Sequence, residues 1–294
     1  MPASTFFELS HAETVCTPCL PPHTARAAVA IAFAGNIDYN ISQRLLGAEH
    51  GGGRLPAEEV LMEKSGRIEL MDALRGLAVC LMVLHHFLYD LCAFLGAPWV
   101  LFTNPVFDVL HYIFAGLFIF LSGVSSDFSR SNFKRGVKAM VLAMGITLVT
   151  WLMGMTVVFG VLHLLASCML LFALTRRFWE KLPAFVVPAL SAALVVLTAR
   201  CANGVPTQTP HLWIFGFTTP DFASSDYFPL LPWFFVFLFG TWAGRYVRAG
   251  RLPDWFYRAK APRLALVGRH ALPVYVLHQP VLYGITMLLG LFIR

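Results

Sequence analysis

An all-α, polytopic transmembrane helix bundle of about seven spans, with its N-terminus in the cytoplasm, is the fold class that this sequence predicts. Three observations predict it. Of the 294 residues, 57% are hydrophobic and 13% charged, which is about half the charge of a soluble domain. Apolar runs long enough to cross a bilayer recur from Leu70 onward. Lysines and arginines gather in alternate loops between those runs, as the positive-inside rule requires. A soluble core could not use so much apolar surface without leaving large exposed patches, so lipid is its natural solvent.

Residues 1–66 stand apart and are expected to be a poorly ordered extension preceding a membrane domain over 67–294. Their longest apolar stretch, Ala27–Ala34, is too short to span a bilayer. It lacks the charged, apolar and cleavage regions of a secretory signal. Gly51, Gly52 and Gly53 read as linker, and Met62 offers an alternative translation start. Cys16 and Cys19 form a CxxC with His23 close behind, but a zinc site needs four ligands and no second pair answers them. Cys80, Cys92 and Cys168 lie inside apolar runs, where a thiol behaves as a small hydrophobe.

The seven runs cover residues 70–95, 106–126, 136–154, 157–175, 183–199, 230–248 and 270–292. Loops after the first, third and fifth carry only Arg200. Loops after the second, fourth and sixth carry Arg130, Lys134, Arg135 and Lys138, then Arg176, Arg177 and Lys181, then the basic residues from Arg245 to Arg269. This alternation puts the basic loops inside and accounts for most of the net charge of +6 without a nucleic-acid partner.

Several residues are costly in lipid. Arg75 and His86 lie eleven residues apart on the first run, so they share a helix face about 16 Å apart. Tyr89 and Asp90 follow His86 by three and four residues and fall on the same face. A carboxylate one turn from an imidazole can fix its tautomer and raise its basicity. Asp108, His111, His163 and His278 add polar groups on three further runs. One such residue alone is more often a hydrogen-bonding group between helices. Histidines on four runs imply a shared polar cavity. Ser122 and Gly123 suit ordinary small-residue packing, and Asp226 to Trp233 marks an aromatic turn entering the sixth run.

Asp72-Ala-Leu-Arg75-Gly76-Leu-Ala followed by His86 resembles the opening helix of membrane acyltransferases that acetylate sugars. Phe118–Gly123, Gly160–His163, Asp226–Trp233 and Gly268–Pro280 resemble the later blocks, in order, of a bacterial member of the heparan-α-glucosaminide N-acetyltransferase catalytic-domain family. The likeness runs from about residue 67 to residue 285. The Arg75 to His86 spacing is also similar to that of bacterial polysaccharide O-acetyltransferases, whose histidine is the presumed catalytic residue. The chain departs at Ala97, near which the larger eukaryotic relatives carry their proposed active histidine.

The resemblance implies a multi-pass enzyme of the inner (cytoplasmic) membrane. It would move an acyl group, most simply acetyl, from cytosolic acyl-CoA to a carbohydrate or lipid-linked acceptor at the outer face. Acetyl-CoA would be a co-substrate, with no tightly bound cofactor and no metal. His86, Asp90 and His278 are the expected catalytic residues, with Asp90 orienting the His86 imidazole. Arg75, Arg130, Arg135 and Arg269 would receive the CoA phosphates, and for most inner basic residues membrane orientation alone is the competing role. His163, Asp226 and Trp233 are expected to bind the acceptor. Two other readings use the same residues: a transporter with a His/Asp proton relay, and a haem protein with two of His86, His163 and His278 as axial ligands. The chain has no internal repeat and no matched pair of broken helices, which weighs against a transporter.

Overall fold

The computed structural model of the protein describes residues 67–202, 207–209 and 211–293. Its helices are α1 (Glu69–Leu95), α2 (Pro105–Asp127), α3 (Asn132–Leu152), α4 (Val161–Lys181), α5 (Val186–Ala202), α6 (Leu230–Arg248), α7 (Asp254–Arg258), α8 (Pro262–Arg269) and α9 (Ala271–Ile293). Short 3₁₀ turns lie at Trp99–Leu101 and Leu212–Phe215, and the described residues form no strand. The Cys16/Cys19 pair and the rest of the N-terminal region lie outside the described residues.

Six helices, α1, α2, α3, α4, α6 and α9, are long and apolar enough to cross a membrane. The fifth expected span is the short one: α5 has 17 residues. At a rise of about 1.5 Å per residue it just falls short of a full hydrocarbon core. The chain is thus an all-helical, multi-pass membrane bundle. Large apolar side chains face outward as lipid contact demands, with Val141 69% and Leu152 72% exposed on α3.

Local signals set the helix ends. The Asn104 side chain accepts the Val106 N–H at 2.9 Å, and Pro105 opens α2 where a missing N–H costs nothing. Ser131 accepts the Lys134 N–H at 3.3 Å and starts α3 four residues before the apolar run. Gly96, at φ 70°, ends α1 in the left-handed conformation that glycine adopts freely.

Lipid gives helices little hydrophobic reason to associate, so close packing must hold them. Two glycine crossings supply it. A Cβ on Gly123 of α2 would overlap the Phe237 carbonyl of α6, and one on Gly240 of α6 would overlap the Phe120 carbonyl. At the second crossing, Gly76 of α1 meets Leu264 and Gly268 of α8, while Gly268 meets the Asp72 carbonyl. Around the first, Ile119, Leu164, Cys168, Phe237 and Leu238 are fully buried. Elsewhere α3 packs on α4, α5 on α6, and α9 alongside α1.

The last expected run, 270–292, coincides with α9. The segment before it, expected to be a basic loop, instead holds α8. Pro262 sits in the first turn of α8, and Glu69 accepts the Ala261 N–H at 3.0 Å, so α8 folds back across the start of α1. Two loops at the opposite end are laced together. Ser225 N–H reaches the Thr156 carbonyl at 3.1 Å, Phe228 N–H the Phe159 carbonyl at 2.8 Å, and Val158 N–H the Ser224 hydroxyl at 3.1 Å.

Candidate active site

The bundle has a basic end, where Arg67, Arg75, Arg135 and Arg269 gather, and a far end formed by the laced loops. At the basic end a buried carboxylate organises the arginines. Asp72 Oδ1 accepts from Arg75 Nη1 at 2.8 Å, and Asp72 Oδ2 lies 3.4 Å from Arg67 and 3.8 Å from Arg269. Arg75 also donates to the Ser125 hydroxyl at 2.6 Å. Arg135 approaches the Ser125 carbonyl at 3.4 Å. Thus Arg75, Arg135 and Arg269 converge. Arg130 does not join them: it is exposed in the α2–α3 turn, with no ion pair among the described residues. Nearby, Asp127 is buried and paired with Arg248 at 3.3 Å, a second charge pair between α2 and α6.

A small cavity lies in the half of the bundle beyond this cluster. His86, His111, Phe114, Phe118, Asp226 and Tyr275 line it, and it extends inward to Ala78 and Val79. Arg75 lies three residues before Ala78 on α1, which is about 4.5 Å along the axis. The cavity therefore runs from near the arginine cluster to the histidines.

At its outer part the His86 ring meets the His278 ring, with centroids 5.0 Å apart. The tautomer of His278 follows from its partner. A carbonyl oxygen only accepts, so the Nδ1–H of His278 donates to the Tyr275 carbonyl. The lone pair is then on Nε2, which is buried and has no hydrogen-bond partner among the described residues. On the other side of His86, His85 lies 4.3 Å from His111, centroid to centroid.

Asp90 has a different partner from the expected one. Its fully buried carboxylate accepts two contacts from Gln279 Nε2, at 2.9 and 3.2 Å, and makes no hydrogen bond to His86. It thereby clamps α1 to α9 one turn beyond the His86–His278 pair. His163 also departs from expectation. Thr147 uses its one hydroxyl proton on the Val157 carbonyl at 2.7 Å, so its oxygen accepts from His163 Nε2 at 3.1 Å. His163 joins α4 to α3 and does not line the cavity. Trp233 stands beside the cavity, its ring stacked on Tyr112 at 6.2 Å and packed on Phe228 at 5.7 Å.

Asp226 does line it. Its Oδ2 accepts the Val161 N–H at 3.2 Å and the Tyr275 hydroxyl at 3.4 Å, capping the first turn of α4. Burial pushes its carboxyl up to about 6, against these two hydrogen bonds, which favour the charged form. Gln279, Tyr275, Ser125 and Asp72 take part although sequence reading gave them no role. For Gln279, Tyr275 and Asp72 the only signal was membership in the Gly268–Pro280 and Asp72–Gly76 blocks, and Ser125 carried none. Among the described residues, no three His, Cys, Asp or Glu side chains are placed to ligate a metal.

A multi-pass helical membrane protein with a buried arginine cluster and a histidine-lined cavity is the class that these features define. Residues 67–280 match the model of the heparan-alpha-glucosaminide N-acetyltransferase catalytic domain. The chain belongs to that family, and the match covers the α1 to α9 segments that build the cavity. No curated protein and no solved structure gives a significant match.

Proposed function

We propose that the protein is an acyltransferase of the cytoplasmic membrane that moves an acetyl group from acetyl-CoA at the basic, cytosolic end to a sugar acceptor entering from the far end. One observation carries the reading: the cavity begins within a turn of Arg75 and is lined by His86, whose ring packs against that of His278. Acetyl-CoA is polyanionic at one end and reactive at the other. Arg75, Arg135 and Arg269 suit its phosphates, and the apolar walls at Phe114 and Phe118 suit its slender pantetheine arm. Asp226 and Trp233 lie where the acceptor would be held.

In this mechanism the acceptor amine or hydroxyl attacks the thioester carbonyl. A new bond forms at the carbonyl carbon and the C–S bond breaks. His86 takes the acceptor's proton, and the departing CoA sulfur is protonated. His278, whose ring packs on that of His86 and whose Nε2 carries no hydrogen bond among the described residues, stabilises the imidazolium that forms. Asp90 fixes the spacing of the two rings through Gln279 and α9, and does not touch His86 directly.

The test is transfer of label from [14C]acetyl-CoA to glucosamine by the purified chain. Loss of transfer in a His86→Ala protein that elutes and melts like wild type supports the assignment. Wild-type transfer by that variant would sink the role of His86.

A further inference from the structure

His86 and His278 are part of a longer series. Four imidazoles from three helices stand in succession: His278 to His86 at 5.0 Å, His86 to His85 at 5.9 Å, and His85 to His111 at 4.3 Å, centroid to centroid. At these separations a ring rotation or one interposed water joins nitrogen to nitrogen. Two nitrogens in the series, His278 Nε2 and His111 Nδ1, are buried without a hydrogen-bond partner among the described residues. The series has a direction. His111 is one helical turn from Asp108, an exposed residue in the first turn of α2, at the far end of the bundle.

The chemistry of amine acylation gives such a series something to do. An amino sugar reaches the site mainly as its ammonium. Forming the amide removes two protons from that nitrogen. One ends on the CoA sulfur, and the other is surplus in every turnover. A base enclosed by helices must discharge it before it can act again.

We propose that His278, His86, His85 and His111 form a proton row that carries this surplus proton from the cavity to the far face. The inference rests on the transferase reading above. His86, His85 and His111 each accept a proton on one nitrogen and release one from the other, while His278, its Nδ1–H held by the Tyr275 carbonyl, takes up and returns a proton at Nε2, so no oxidant or co-reactant is required. The last imidazole delivers to Asp108 or to water. The charged and titratable groups around the row are Tyr89 and Asp90 on α1, Asp108 and Tyr112 on α2, Tyr275 on α9 and Asp226 in the loop before α6. Asp90 is occupied by Gln279, and Asp226 by Val161 and Tyr275. That leaves Asp108 as the carboxylate available to the outer end.

The experiment uses the full chain in detergent, with [14C]acetyl-CoA and glucosamine as substrates, and reads kcat and KM across pH. His111→Ala removes the last imidazole, and His85→Gln replaces an inner one with a side chain that hydrogen-bonds but does not relay protons. Both variants are expected to lose at least about tenfold in kcat, a modest share of a full acid–base contribution, with KM for acetyl-CoA unchanged. Free imidazole in the buffer is expected to restore His111→Ala, because it enters the space the ring vacated. Wild-type rates and pH profiles in both variants would overturn the row while leaving the transferase intact. A loss that imidazole does not rescue, accompanied by a raised KM, would also overturn it, since a packing role behaves that way. No transfer by the wild-type chain would overturn the transferase reading itself, and the row with it.

Discussion

The two ends of the bundle differ in how their buried charges are paired, although each leaves buried polar atoms without a hydrogen bond among the described residues, Asn132 Oδ1 at the basic end among them. At the basic end opposite charges meet: Asp72 holds three arginines within 4 Å, and Asp127 holds Arg248. In the cavity half, polar groups keep unused capacity. His278 Nε2, His111 Nδ1 and Gln279 Oε1 are buried without hydrogen-bond partners among the described residues. A paired buried charge fixes helices in place, whereas an unpaired buried lone pair is costly and must be held there by its surroundings. The first arrangement suits anchoring, the second suits chemistry.

The comparison is broken most directly at His86. His86→Ala should lower kcat by about 10²- to 10⁴-fold, the usual range for a general base, with little change in melting. If melting falls instead and turnover survives, the two ends do not differ in kind. Asp72→Asn should do the opposite. Removing the one carboxylate among three guanidiniums should cost about 3 kcal/mol, as breaking a buried charge pair does. Thermal unfolding in detergent reads that loss, and KM for acetyl-CoA should rise as Arg75 loses its bearing.

Asp226 sharpens the contrast through pH. Its carboxyl lies near 6 in the folded chain against an ordinary value of 3.8. The folded state therefore holds this proton more tightly than the unfolded one. Stability from this group is full below pH 4, falls as pH rises from 4 to 6, and is level above. Asp226→Asn should remove that slope, as melting temperatures between pH 4 and 7 will reveal. The smallest effect belongs to His163→Gln. Losing one hydrogen bond to Thr147 should cost about 1 kcal/mol and leave kcat within about twofold of wild type, since the ring does not line the cavity.

Much of this architecture was readable from apolar run length and basic loops, because both reflect the bilayer directly. The runs at 70–95 and 230–248 differ from α1 and α6 by a residue at most. The fourth run, expected over 157–175, became Val161–Lys181. Its first residues are drawn into the far loop by Asp226, and its basic tail remains helical. Helix α8 was hidden because its eight residues are too few to span a bilayer and Arg263 and Arg269 place it with the basic loop, whereas its packing rests on Gly268 meeting α1. Among the candidate residues, Arg75, His86 and His278 stood out in the sequence because ionisable groups are rare in apolar runs. The Asp90–Gln279 bond could not be found that way, since helical periodicity placed Asp90 near His86 but carries no information about α9. His163 misled for a related reason: depth along a helix does not reveal which neighbour its side chain faces.

The glycine crossings also bear on mechanics. Gly76 with Gly268, and Gly123 with Gly240, lie toward the basic half, where backbone touches backbone and leaves no room for slippage. They act as rivets set near one end of a sheaf of rods. The far end is fastened by other means, through hydrogen bonds between its two loops and between Asp90 and Gln279, which can be made and broken one at a time.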